Sequence, residues 1–521
     1  MSEPIEPIEP IQPVGDDYEV DETAAAKPKR TVRGAAIVGV RVVAGTVGLG
    51  VALAAIAGAA FLPIPTLEKA PPSVEVTPVP TAQQLVCPGA LLRLGDETGQ
   101  AATTSSAIGA AAVRYDSTSG TVTAAPFDQS DAGTGGSSSA PLLISSPAGD
   151  GGDEASDDPL LVSGAQSQIA DSAEFGGLAA TDCAGVSTET WLVGGATSVG
   201  RTTLVTLANP SDTISTVSLG IHSELGKVSA PGATGIVVQP HGQRVLSLAG
   251  FAPDVESPVV QVVSRGGQIV ANLQQATVRG LEAGGVDIVG RAATPALTQV
   301  IPGIVVEGST ELSARLGESG FGDLATVVRV FVPGDEATTA EVSVVNDDGT
   351  PTGTSFSIEL DAGTVQDLPV DGLVDGTYAV TVTTSQPVVA SVRVSTVAAP
   401  VLDAEGTPSG GPSDFAWLAG VEMLEDSALV TVASGPQPRV HLFNPTDEEA
   451  VVTVAEIDGD ELTVTVPAQG SAETAVNPGS TYQLDGFDSL YASVSFSGGA
   501  QIAGYGVQPP ALNAGTITVY P

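Results

Sequence analysis

The strongest constraint on the fold of this chain is a period-two hydrophobic pattern that recurs between closely spaced turns. Around Asp458-Gly459, the runs Val452–Val454 and Leu462–Val466 alternate apolar with polar residues. An Asp-Gly pair between two such runs is a strong hairpin signal. The chain contains 62 glycines and 38 prolines, which supply turns throughout. Because no sustained helical period occurs beyond one N-terminal apolar run, we predict an all-β ectodomain of several tandem antiparallel β-sandwich (Ig-like) domains.

The N-terminal apolar run predicts one transmembrane helix. Residues 42–62 carry no charge, and a helix of this length reaches roughly 31 Å, the thickness of a hydrocarbon core. Basic residues precede the run, among them Lys29, Arg30 and Arg33, whereas only Lys69 follows closely. The positive-inside rule therefore places the N-terminus in the cytoplasm and the rest of the chain outside. We predict a single-pass plasma-membrane protein that contacts the membrane through residues 42–62.

A cleaved signal peptide is the alternative to an anchor. Ala57-Gly58-Ala59 has the small-x-small pattern of a cleavage site, and cleavage there would yield a secreted protein. The apolar run and the charged segment before it are long for a signal peptide, which favours the uncleaved anchor.

Composition divides the chain into seven segments. They are a disordered Pro/Glu-rich then basic cytoplasmic tail (1–33), a signal-anchor helix (34–62), a Pro-rich stalk (63–82), a disulfide-bracketed loop-rich β domain (83–190), and three β-sandwich repeats (191–305, 306–405 and 406–521). An internal similarity supports the repeats, because Leu207–Asp212 parallels Leu442–Asp447 around a shared Asn-Pro pair. Phe331–Asp335 lies in a comparable place between them, so the turn prolines Pro210, Pro333 and Pro445 are 123 and 112 residues apart. This period is that of whole domains and exceeds that of a solenoid repeat.

The two cysteines, Cys87 and Cys183, lie outside the membrane in this topology. An even count in an oxidising compartment predicts one disulfide, and two buried free thiols are the alternative. A disulfide here would close a loop worth about 4–5 kcal/mol of stability in the chain-entropy model.

The charge balance excludes one class of partner. The formal net charge is −42, whereas nucleic-acid binding requires clustered Lys and Arg, so we predict no nucleic-acid partner.

The three histidines, His222, His241 and His441, belong to no metal-binding or catalytic motif. We expect surface or strand-end positions for them, with His241 in a hairpin turn. We therefore predict no catalytic residues, no metal ligands and no cofactor. Calcium is the weaker alternative, held by acidic clusters in residues 149–158, at Asp335 and Glu336, and at Asp347 and Asp348.

Several short motifs, in their order along the chain, carry a family resemblance. They include Leu85–Pro88, Trp191–Ala196, Ile301–Gly303 and Phe331–Asp335. Residues 85–521 resemble an uncharacterised actinobacterial family of membrane-anchored or secreted envelope proteins. The resemblance implies an envelope location, and it brings no known activity, cofactor or catalytic residue.

These observations favour a non-catalytic single-pass envelope protein with structural or protein-binding roles, whose partner is an unknown envelope protein or glycan. One alternative is a carbohydrate-binding accessory of cell-wall assembly, in which Trp191 and Trp417 stack on sugars. The apolar Trp-Leu setting of both residues favours core packing instead. The other alternative is a glycan-processing hydrolase with an unrecognised carboxylate pair.

Overall fold

The computed structural model describes most of the predicted ectodomain. The described residues are 83–95, 105–118, 121–127, 140–146, 160–172, 174–347, 351–402 and 408–510, with short strands at 74–76, 129–130, 132–133 and 517–519. The predicted tail (1–33) and anchor (34–62) lie outside these residues. Within the described part, no helix has the length and apolar character needed to cross a bilayer.

The described part of the chain is all-β, as the alternating pattern predicts. Its one α-helix is α1 (Ser309–Leu316), and two 3-10 turns span Leu248–Gly250 and Gly322–Leu324. The chain divides into two compact units, Met1–Glu75 with Thr518–Pro521, and Val76–Ile517. Strands β1 (Val74–Val76) and β39 (Ile517–Val519) pair with each other. All other elements of the described residues belong to the second unit.

The segment that carries the cysteines contains short strands in small sheets. These strands are β2 (Gln84–Cys87), β3 (Leu91–Leu94), β4 (Ser105–Ile108), β5 (Ala112–Ser117), β6 (Thr123–Pro126), β7 (Gln129–Ser130), β8 (Ala132–Gly133), β9 (Leu142–Ser145), β10 (Val162–Asp171), β11 (Gly176–Asp182) and β12 (Ala184–Gly185). Three sheets have the orders β12-β2-β9-β6, β3-β4-β8 and β11-β10-β5. The sheets are small because the apolar bursts in this segment are short and separated by polar loops.

The next segment forms a pair of five-stranded sheets around one core. Its strands are β13 (Glu189–Val193), β14 (Arg201–Asn209), β15 (Ser215–Ser223), β16 (Gly226–Lys227), β17 (Ile236–Val238), β18 (Gly242–Ser247), β19 (Val259–Arg265), β20 (Val270–Arg279) and β21 (Glu282–Val289). One sheet has the order β13-β19-β15-β16, with β17 also on β15, and the other has the order β21-β20-β14-β18-β7. Buried side chains from both sheets, such as Leu219 and Leu273, share one cluster.

The middle segment is organised by one long strand. Its strands are β22 (Ala296–Val306), β23 (Val327–Phe331), β24 (Thr338–Asn346), β25 (Pro351–Leu360), β26 (Val365–Pro369), β27 (Gly376–Val397), β28 (Val401–Leu402), β29 (Pro408–Ser409) and β30 (Ser413–Ala419). The first half of β27 pairs with β22 and β24, and its second half pairs with β23 and β30. Strand β22 thus belongs to this sheet, although the predicted boundary at 305/306 assigns nearly all of it to the preceding segment.

The last segment forms two four-stranded sheets. Its strands are β31 (Ser427–Thr431), β32 (Arg439–Asn444), β33 (Ala450–Glu456), β34 (Glu461–Val466), β35 (Gly470–Ala475), β36 (Thr481–Asp485), β37 (Tyr491–Gly498) and β38 (Gln501–Gly506). The orders are β31-β36-β33-β34 and β35-β32-β37-β38. The predicted hairpin at Asp458-Gly459 is confirmed, because β33 and β34 pair antiparallel across it.

The repeated Asn-Pro motif has the same structure in both copies. Asn209 ends β14, Asn444 ends β32, and both side chains are buried. Each amide donates to the carbonyl four residues on, Thr213 or Glu448, at 2.7 Å, and each side-chain oxygen accepts the backbone N–H two residues on. This Asx-type turn satisfies backbone groups where the strand stops. The two copies of the motif therefore form the same turn, which the asparagine side chain stabilises.

His241 lies in the predicted turn, but this turn does not close a hairpin. The Gly242 N–H donates to the Gln239 carbonyl at 3.1 Å. The flanking strands β17 and β18 pair with different sheets. The turn therefore carries the chain from one sheet to the other.

Candidate functional site

Edge strands from four different sheets meet within the second unit. Strands β11, β21, β30 and β38 each lie at the edge of their own sheet, and each is in contact with the next. We call this group the hub. An edge strand presents backbone N–H groups without a ladder partner, and burying such groups is costly unless another acceptor reaches them. The hub therefore requires acceptors from side chains.

Asp414 of β30 is the main acceptor in the hub. Its buried carboxylate accepts N–H groups from Leu178 of β11 at 2.9 Å, Val286 of β21 at 3.3 Å and Ile502 of β38 at 3.1 Å. It also accepts the N–H of Phe415 at 3.0 Å. Burial raises the pKa of Asp414 well above its usual range, and the four N–H donors oppose that shift.

The sequence makes room for this carboxylate with a glycine. Gly177 of β11 has a φ of +132°, and a Cβ atom at this position would overlap the Asp414 carboxylate. Only glycine combines this backbone conformation with so close an approach. One hydrogen-bonded group thus joins strands that lie in three of the predicted segments.

A second buried carboxylate supports the same strands. Asp287 of β21 accepts the backbone N–H of Trp417 at 2.7 Å and that of Ile288 at 2.9 Å. Burial raises the pKa of Asp287 to about 8. The indole N–H of Trp417 donates to Gln275 at 2.7 Å, so this part of the hub is polar and internally satisfied.

A cavity of about 610 Å³ lies among the ends of hub strands and the disulfide. Its lining includes Asp182, Cys183, Arg291, Tyr505 and Gln508. Burial raises the pKa of Asp182 to about 6, and the charge of Arg291 opposes this shift. Arg291 donates to the Gln508 side chain at 2.8 and 3.0 Å. Among the described lining residues Asp182 is the one carboxylate, whereas glycoside hydrolysis ordinarily uses two.

The predicted disulfide is confirmed. Cys87 and Cys183 are bonded and buried, and they link β2 to the end of β11. Buried glutamines add hydrogen bonds, one set within this segment and one set from β20 of the next. Gln166 exchanges two hydrogen bonds with the backbone of Gly89, and Gln274 does the same with Leu92. A side-chain amide carries the donor and acceptor of a peptide group, so each glutamine replaces one strand residue.

The two tryptophans present no open ring face. Trp191 is 5% exposed and Trp417 is 2% exposed. The ring of Trp191 lies 5.8 Å from that of Phe331, and the guanidinium of Arg329 lies 4.4 Å from the ring of Trp417. Sugar stacking requires an exposed face, so the structure offers no support for a ligand at either ring.

The acidic clusters considered for calcium have different surroundings. Asp335 and Glu336 are exposed, and residues 149–158 and Asp348 lie outside the described residues. Asp347, directly after β24, approaches a histidine of the last segment. Its Oδ2 atom lies 3.0 Å from Nδ1 of His441.

The expectation of a surface or strand-end position is wrong for His441, which is fully buried within β32. Its neighbours Val440 and Leu442 belong to the core between the last two sheets. Since side chains alternate along a strand, His441 faces away from that core and toward Asp347. His241, in contrast, is partly exposed and pairs with Asp212 at 2.8 Å.

Glu473 also lies beside His441, because it is directly opposite His441 in the pairing of β32 with β35. We call Asp347, His441 and Glu473 the His441 group. The potential ligand atoms of Asp347, His441 and Glu473 all lie within 4.8 Å of one another. Asp347 follows β24, whereas His441 and Glu473 lie in β32 and β35, so the three residues form no local motif. The sequence drew attention to Asp347, beside Asp348, but gave no signal that would link it to His441 or Glu473.

A family model that is described as a family of unknown function (DUF5719) matches residues 132–485. The chain belongs to this family. The DUF5719 match covers hub strands β11, β21 and β30 and ends before β38. It includes all three residues of the His441 group.

The other comparisons add little. No curated protein matches the chain. One solved structure, "Biofilm associated protein - BSP domain", is 12% identical with a TM-score of 0.11. The alignment covers 68% of this chain and 64% of that one.

Proposed function

We propose that this chain is a non-catalytic, single-pass envelope protein that presents an acidic β ectodomain for structural or protein-binding roles. The observation that carries the proposal is how the buried carboxylate of Asp414 joins strands of different sheets. It accepts N–H groups from three other edge strands. A carboxylate buried in this way holds sheets against one another. A catalytic carboxylate must instead be free to reach a substrate, so Asp414 is suited to the structural role.

The proposed architecture of the ectodomain is a set of Ig-like sandwiches. Support comes from the shared cores between paired sheets and from the identical turns at Asn209 and Asn444. The carboxylates of the hub and the buried Gln274 of β20 would then hold the sandwiches and the disulfide segment in one rigid body. A rigid body is suited to present its surface to a partner, because little conformational entropy is lost on binding.

The proposed location is the outer face of the plasma membrane, with the N-terminus in the cytoplasm. Support comes from the uncharged run at residues 42–62, the basic residues before it, and a disulfide that suits an oxidising compartment. Beyond residue 62 the chain has 13 basic and 52 acidic residues, a net charge of −39, which would keep the ectodomain soluble and would repel anionic wall polymers. An actinobacterial envelope is the setting that the sequence resemblance suggests.

Thiol labelling of intact cells tests this topology. Both native cysteines are in the disulfide, so an introduced cysteine is the unique free thiol. We expect Leu281→Cys, at a side chain that is 95% exposed, to react with a membrane-impermeant maleimide on intact cells. The matched variant Ser2→Cys should react only after lysis. Labelling of Ser2→Cys on intact cells, or release of a shortened chain into the medium, would refute the anchored topology.

Cross-linking on the same cells tests the binding role. An impermeant cross-linker should join the ectodomain to a discrete second protein, as a band that persists when the cells are treated with glycan-degrading enzymes. A cross-linked species made of glycan alone would contradict the protein-binding role and favour the carbohydrate-binding alternative.

A further inference from the structure

We propose that Asp347, His441 and Glu473 form a site for one divalent transition-metal cation, of which Zn²⁺ is the best match. This inference is independent of the proposed envelope role. It rests on how the three side chains converge and on how each is held from behind.

The first observation is convergence on a common point. His441 Nδ1 lies 3.0 Å from Asp347 Oδ2 and 3.6 Å from Glu473 Oε2. Zinc bonds to nitrogen and oxygen ligands measure about 2.0–2.2 Å, so neighbouring ligand atoms in a zinc site lie roughly 3–4 Å apart. These two distances already fit that range before any ion is considered.

The second observation concerns the two polar atoms of each side chain. One atom faces the common point, and the other is held by a hydrogen bond or an ion pair. Asp347 Oδ1 accepts the Ser471 hydroxyl at 2.6 Å, and Glu473 Oε1 accepts Arg439 Nη1 at 2.7 Å. His441 Nε2 lies 2.7 Å from the Ser495 hydroxyl. Metal sites characteristically have such outer partners, which orient the ligands and select the histidine tautomer.

The third observation is an unused acceptor. Glu473 Oε2 is a buried atom without a hydrogen-bond partner, although its twin oxygen is paired with Arg439. An unpaired buried acceptor calls for an explanation, and a bound ion is one. Because Oε2 lies 3.6 Å from His441 Nδ1, a cation between the two would satisfy it.

The backbone also leaves space for the imidazole. Gly303 has a φ of +78°, and a Cβ atom there would overlap the His441 ring and the Ser493 hydroxyl. Ser493 in turn donates to the Pro302 carbonyl at 2.8 Å. The Ile301–Gly303 motif thus forms a bulge in β22 against which the histidine lies.

The donor set selects the class of ion. One imidazole nitrogen with two carboxylates suits Zn²⁺ and related transition metals, whereas Ca²⁺ takes six to eight oxygen ligands. Three protein ligands leave a fourth tetrahedral position for water. The site would join β24 of the middle segment to β32 and β35 of the last segment, so the ion would cross-link the two segments.

The test is Zn²⁺ titration of the purified full chain after removal of metals with a chelator, measured by calorimetry and by elemental analysis. We expect one tight equivalent, and we expect His441→Gln to weaken it by at least tenfold. His241→Gln is the matched control, since His241 is also paired with an aspartate but lies partly exposed, and it should bind as the wild type does. Weak binding to the acidic surface would be common to all variants.

A second readout separates binding from misfolding. In Co²⁺-loaded protein, visible absorption bands of a nitrogen- and oxygen-ligated ion should be present in the wild type and absent from Glu473→Gln. Ser495→Ala keeps all three ligands and should weaken Zn²⁺ binding about 10–100-fold, the usual cost of losing an outer partner. Wild-type protein without a tight equivalent, or His441→Gln that binds as tightly as His241→Gln, would overturn the proposal.

Discussion

Replacement of Asp414 by alanine should lower the free energy of unfolding by at least about 4 kcal/mol, because it leaves four buried N–H groups without an acceptor, each at a cost of about 1–3 kcal/mol. Three of these groups, on Leu178, Val286 and Ile502, belong to strands of other sheets. A buried cavity at the same point adds to the loss.

Chemical denaturation of the purified ectodomain measures this effect. Asp335→Ala is the matched control, because that carboxylate is exposed and its loss should change stability by less than about 0.5 kcal/mol. Asp414→Asn should also destabilise, since an amide retains one acceptor oxygen but turns an NH₂ group toward donors. If Asp414→Ala unfolds within 1 kcal/mol of the control, the carboxylate does not hold the hub together.

Loss of the disulfide should have an effect of similar size. The bond joins residues separated by 96 positions, and the chain-entropy model assigns about 4–5 kcal/mol to a loop of this length. Alanine is the better replacement, because both sulfur atoms are buried and serine would bury unpaired hydroxyls. We therefore expect Cys87→Ala/Cys183→Ala to unfold at a lower urea concentration.

A reductant supplies the control for this double variant. Reduction of the wild type should reproduce the loss of stability, and reduction of the double variant should change nothing further. Equal stability of the wild type with and without reductant would show that the hub and the buried glutamines alone hold the segment.

Local features of the fold were predictable because they depend on residues close in sequence. The alternation around Asp458-Gly459 gives a hairpin, and the Asn-Pro pairs at Asn209 and Asn444 give matching turns. Both are decided within a few residues by turn chemistry and by side-chain period. The disulfide was predictable from the even cysteine count together with the predicted oxidising compartment.

The hub and the His441 group were not predictable in the same way. Asp414 reaches Leu178 across 236 positions, and His441 reaches Asp347 across 94. An aspartate or histidine within a strand looks the same in sequence whether it faces water or another sheet. Only the arrangement of the sheets distinguishes a solvated polar residue from one that braces the core.

Scanning calorimetry of residues 66–521 tests the central claim, that the hub joins the sheets into one body. If it does, the ectodomain should unfold in a single transition whose calorimetric and van't Hoff enthalpies agree, and Asp414→Ala should split that transition. Three separate transitions in the wild type, one for each sandwich, would contradict the account.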